Sequence, residues 1–146
     1  TIISCQYIFS IHTEYAMVDI TRAIFIGNSV GVITGLFALF HILVMIGIIP
    51  NTIVWGGRIT DHGQLLKMES VSLFSLLLVG TLSVIYSRMV AADNGMLILR
   101  ICMWLFAALF LLNTVGNLFA KTHFERFAFT PVTALLTYLM VRLALL

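Results

Sequence analysis

A few polar side chains interrupt the long apolar runs of this chain, and their types suit chemistry in a low-dielectric setting. His41 stands inside one such run, nine residues before Pro50. Asn113, Thr114 and Asn117 stand near the end of another, and the i,i+4 spacing of the two amides puts them on one face of a helix. Glu69 opens a third run, and Trp55-Gly56-Gly57-Arg58 follows the first. Imidazole and carboxylate exchange protons, amides and hydroxyls orient a polar ligand, and a guanidinium pairs with a carboxylate. Together these groups suit the capture of a small solute, an ion or a lipid headgroup. With His41 and Glu69 as acid and base they would also suit an enzyme acting on a lipid or quinone.

Each residue has a plainer role to weigh. A histidine, asparagine or threonine inside a membrane often serves only as a hydrogen-bonding link between helices. Glu69 reads as a residue near a helix N-terminus, where the helix dipole favours a carboxylate whatever its function. Trp55 is the kind of residue that anchors a chain at the membrane surface, and the two glycines after it suggest a tight turn.

The elements that must position these residues follow from composition. Of 146 residues 61% are hydrophobic and 10% charged, with mean hydropathy +1.10, whereas soluble domains carry about 25% charged residues. So little charge cannot cover a wet surface, and lipid must cover the remainder. Backbone groups in hydrocarbon must be satisfied within the segment, and no alternation typical of a barrel is present, so the spans are helices. The expected fold is all-α, an integral membrane bundle of four transmembrane helices over about 23–49, 69–87, 96–120 and 128–146. Pro50 stops the first, Asp93-Asn94-Gly95 separates the second from the third, and Thr130-Pro131 opens the fourth. That last span is short unless Phe127 to Phe129 also lie in the membrane. Residues 1–22 read as an interfacial or partial segment, with 23–146 forming one domain.

With an even number of spans the first and third loops share one side. They carry Arg58, Asp61, His62 and Lys67, and Lys121, His123, Glu125 and Arg126, respectively. His41 lies about 13 Å and Asn113 about 12 Å from that end at 1.5 Å per residue. The expectation is one polar site made of His41, Trp55, Arg58, Glu69, Asn113, Thr114 and Asn117, with Arg58 the natural partner of Glu69. By the positive-inside rule this end faces the cytoplasm. Arg100 is expected to snorkel to the opposite surface, with Asp93 as a candidate partner. Gly27, Gly31 and Gly35 form a GxxxGxxxG stripe for close helix packing, either within the bundle or between two copies in a homodimer.

The three motifs, Trp55-Gly56-Gly57-Arg58 after the first span, Glu69 opening the second and Asn113-Thr114-x-Gly116-Asn117 in the third, resemble those of a group of small, uncharacterised bacterial membrane proteins. The resemblance runs from about Phe37 to Phe127. It implies the four-helix fold, a common polar site and a place in the bacterial inner (cytoplasmic) membrane, but no activity.

Several classes are disfavoured. Net charge of +2 is too small to argue for nucleic acid. Cys5 and Cys102 form no paired motif and read as ordinary apolar residues. A haem bridged between helices needs two histidines at matching depth, His12, His41, His62 and His123 lack zinc spacing, and there is no phosphate-binding loop. No cofactor or metal is expected. Binding or transport ranks first, a non-catalytic accessory or assembly subunit of a membrane complex second, and an enzyme third.

Overall fold

A computed structural model describes the backbone of residues 2–57, 59 and 61–146, and the side chains of residue 17 and of residues from 19 onward within those ranges, except residue 56. Arg58 lies outside the described residues. The described chain is all-helical: α1 (Ile2–Met45), α2 (His62–Ala91), α3 (Leu97–Leu118) and α4 (Thr130–Ala144), the last preceded by a π-helical turn over Glu125–Phe129. Four segments among the described residues are long and apolar enough to cross a membrane, Asp19–Met45, His62–Ala91, Leu97–Leu118 and Glu125–Ala144. The protein is an integral membrane four-helix bundle.

The helix ends differ from the sequence expectations for local reasons. α1 is unbroken across position 22, and it ends at Met45 rather than Ile49 because Gly47 takes a left-handed φ of 77°. His41 is thus only four residues from the helix end, about 6 Å, shallower than chain counting to Pro50 suggests. α2 starts at His62, seven residues before Glu69, because the Asp61 carboxylate accepts a hydrogen bond from the backbone N–H of Gln64 at 2.6 Å. Glu69 therefore lies beyond the first turn, where the dipole has little hold on it.

The fourth span does not open at Thr130. Thr122 and Glu125 make the start: the Thr122 hydroxyl accepts from the Glu125 backbone N–H at 3.3 Å and donates to the Glu125 carboxylate at 2.5 Å. Pro131 supplies no N–H and its ring crowds the carbonyl of Phe127, which accounts for the wide π turn just before it. Phe127 to Phe129 thus belong to the 20-residue span.

The helices form two hairpins. α1 packs along α2, α3 packs along α4, and α2 and α3 touch little. The α1–α2 seam is set by small residues. A Cβ on Gly27 would stand 2.1 Å from the Ser87 hydroxyl, and one on Gly80 would stand 2.4 Å from that of Thr34. Gly31 faces Val84, at 3.0 Å from such a Cβ, but nothing lies within 4 Å of one on Gly35. Packing within the bundle thus stops short of Gly35. A four-residue repeat advances about 400° per step, so the stripe drifts roughly 40° each time and leaves the contact by its third member. Ser83, fully buried, donates to the Val79 carbonyl and lies 3.7 Å from the sulfur atoms of both Met103 and Met140, at the point where the hairpins join. The surrounding core comes from Val30, Tyr86, Phe110, Leu136 and Leu143. At the far end Arg100 does not pair with Asp93. Its Nε donates to the Ala144 carbonyl at 2.8 Å, satisfying an open C-terminal acceptor of α4.

Candidate functional site

The end of the bundle bearing the first and third loops is built around Glu69. Its side chain is 0% exposed, so its two oxygens must find donors inside the protein. Oε2 is hydrogen-bonded to Nδ1 of His41, and Oε1 accepts from the indole N–H of Trp55 at 2.7 Å. At least one proton must lie between Nδ1 and Oε2. The pair therefore holds the imidazole in one orientation and leaves Nε2 as the ring nitrogen that Glu69 does not engage.

Trp55 reaches Glu69 because the loop folds back over the helix ends. Short 3-10 turns at Asn51–Ile53 and Trp55–Gly57 tighten it, and Val54 and Ile59 pack with Val44 and Leu65 as a small second core. The Asn51 amide donates to the Ile59 carbonyl at 3.2 Å and closes the loop on itself. Trp55 has φ of 55°, a left-handed backbone that costs a non-glycine residue about 1 kcal/mol or more. Gly57, at φ of 64°, comes so near the Thr52 carbonyl that a Cβ would stand 3.0 Å from its oxygen. The indole bond to Glu69 is the interaction that this strain secures.

Beside this triad lies a cavity of about 350 Å³. All four spans contribute: Phe37 and His41 from α1, Ser72, Ser75 and Val79 from α2, Phe110, Asn113 and Asn117 from α3, and Glu125, Phe129, Thr133 and Leu136 from the fourth, with Trp55 from the loop. Phe37, Phe40, Phe124 and Phe129 form an aromatic cluster, with ring centroids 5.3–6.2 Å apart, between α1 and the fourth span. The Thr114 hydroxyl donates to the Phe110 carbonyl at 2.7 Å and stands 3.0 Å from the Thr133 hydroxyl, so it links α3 to α4 as interhelical glue.

The site residues read from sequence thus sort into groups. His41, Trp55, Asn113 and Asn117 line one cavity, and Glu69 stands behind two of them. Thr114 is drawn into the α3–α4 contact. Arg58 lies outside the described residues. Sequence reasoning passed over Ser75, Thr133 and Glu125 as site residues. Glu125 is 7% exposed and lines the cavity although it reads as a loop residue. The Thr122-x-x-Glu125 capping signature was the signal that a helix begins there. His62 and His123 stay exposed, His123 stacking on Phe127 at 6.1 Å. Among the described residues no three His, Cys, Asp or Glu side chains come together as metal ligands.

Compared with protein-family models, with curated proteins and with solved structures, the chain has no match.

Proposed function

We propose that this protein binds a small molecule in the cavity between its four spans, as a binding or transport protein. The observation that carries this reading is the cavity's make-up. Its volume is within the usual range for ligand sites, its walls are mostly apolar, and a few polar groups converge at one end. A merely structural polar cluster would be expected to bond to itself. Asn113, Asn117 and Ser72 instead line the space without a side-chain hydrogen bond to any described residue. His41, fixed by Glu69, supplies a proton donor or acceptor at the same end. The setting we infer is a bacterial cytoplasmic membrane, with the first and third loops on the cytoplasmic side.

Native mass spectrometry of protein released from membranes tests the proposal. A discrete adduct on the wild-type chain that disappears in Ser75→Phe, which fills the cavity, is expected. A bare chain in both cases would refute it.

A second reading, an assembly subunit, draws on a different feature. The outer face of the α1–α2 hairpin carries an open groove with Gly31, Gly35, Thr81 and the lipid-facing amide of Asn28, as a docking face for a partner helix would. An oligomer in lipid that Asn28→Leu dissociates would favour it.

A further inference from the structure

We infer that the ligand is a neutral, single-chain amphiphile that enters the cavity sideways from the bilayer, through the seam between α2 and α3. The inference rests on the binding proposal and adds the ligand's class and route.

The seam is the weak side of the bundle. α2 and α3 join through the short Ala92–Met96 connection at the opposite end, and they touch little elsewhere. At the cavity, Val71 of α2 is 67% exposed, and Leu109 and Asn113 of α3 are also exposed while lining the same space. All three belong to membrane-spanning segments. Asn113 is five residues before the end of α3, about 7 Å inside, and Leu109 is one turn deeper. A cavity whose rim is exposed at that depth opens to lipid.

The polar groups at the rim define the headgroup. The amides of Asn113 and Asn117 and the hydroxyl of Ser72 both donate and accept hydrogen bonds, and they have no partner among the described residues. In hydrocarbon an unmet amide is costly, so a hydroxyl or carbonyl arriving with a chain gains by bonding there. An anionic head is disfavoured. The carboxyl groups of Glu69 and Glu125 lie behind and in the wall, and no Lys or Arg lines the cavity among the described residues. A cationic head would have to compete for carboxylates already engaged, Glu69 with His41 and Trp55, and Glu125 with Thr122. A neutral head meets neither obstacle. Phe37, Leu76, Val79, Phe110 and Leu136 form the apolar wall for the first part of its chain.

Trp55 lines the cavity and reports on its contents. The chain has two tryptophans, so Trp104→Phe makes Trp55 the sole tryptophan, which is excited selectively at wavelengths that tyrosine does not absorb. In phosphatidylcholine nanodiscs, 2-bromododecanol should quench Trp55 saturably, and 2-bromododecanoate should do so more weakly. Asn113→Leu should raise the half-saturating alcohol concentration about three- to tenfold, the effect of one lost hydrogen bond, and Asn113→Gln should restore part of it. Because Asn113 is exposed, neither variant threatens the fold. Quenching that rises linearly with bromine in the bilayer and is unchanged in Asn113→Leu would overturn the inference, as would tighter binding of the fatty acid than of the alcohol. If the adduct that Ser75→Phe removes persists under either result, the cavity still binds a ligand and only its class and route are wrong. If no adduct exists, both readings fall.

Discussion

Trp55 donates its indole N–H to Glu69 across 2.7 Å from a backbone held at φ of 55°, so a strained loop residue helps satisfy a carboxylate that has no access to solvent. Removing the indole in Trp55→Phe leaves Oε1 of Glu69 buried without its donor. The expected loss of stability is about 1–3 kcal/mol, the usual cost of an unmet buried polar group. Denaturation in mixed micelles measures it. An unchanged midpoint would mean that the loop does not hold Glu69.

The two oxygens of Glu69 have different partners, which separates two substitutions at this position. Glu69→Gln keeps a carbonyl acceptor for Trp55 and an amide that can donate to His41 in its other tautomer. Glu69→Ala leaves both His41 and Trp55 without a partner. Glu69→Ala should be the more destabilising by about 1 kcal/mol or more. Equal effects would show that the pair depends on the charge rather than on hydrogen bonding.

Loop closure depends on Gly57. A Cβ there would have to bear φ of 64° and stand 3.0 Å from the Thr52 carbonyl oxygen, so Gly57→Ala should cost about 1 kcal/mol or more. The loop should then release Trp55, seen as a red-shifted emission in the Trp104→Phe background. An emission spectrum identical to that of the glycine form would contradict the loop geometry.

The glycine stripe predicts a gradient. Gly27→Ala drives a methyl into Ser87 and should destabilise the hairpin by about 1–3 kcal/mol, whereas Gly35→Ala meets open space and should stay within about 0.5 kcal/mol of the parent. Comparing the two in one unfolding assay tests the α1–α2 register. A large effect at Gly35 with none at Gly27 would place the contact on the wrong face.

The fold was legible because hydrocarbon allows so few solutions: four apolar runs of spanning length leave helices as the means of crossing. The ends of the helices were not legible from hydropathy, which does not register Asp61 capping α2 or Thr122 capping the fourth span. Those caps moved Glu69 inward from a helix start and carried Glu125 from a loop into the cavity wall. His41 and Asn113 both lie nearer their helix ends than chain counting suggests, and they line one cavity because the two counts overshoot by a similar amount, while the helical period aligns Asn117 with Asn113. The role of Trp55 depended on loop conformation, which one-dimensional spacing does not encode. Thr114 shows the opposite limit: Asn113 beside it faces the cavity, yet its own hydroxyl is committed to the α3–α4 contact.

The central claim, that the space between the four spans holds a ligand, is tested most directly by a crystal structure of the protein grown in lipid with its native complement of small molecules. The account predicts discrete non-protein density in the cavity, within hydrogen-bonding distance of Asn113 or Asn117 and bounded by His41 and Trp55. Side chains of the four spans closing that space, with no density between Ser75 and Asn113, would contradict it.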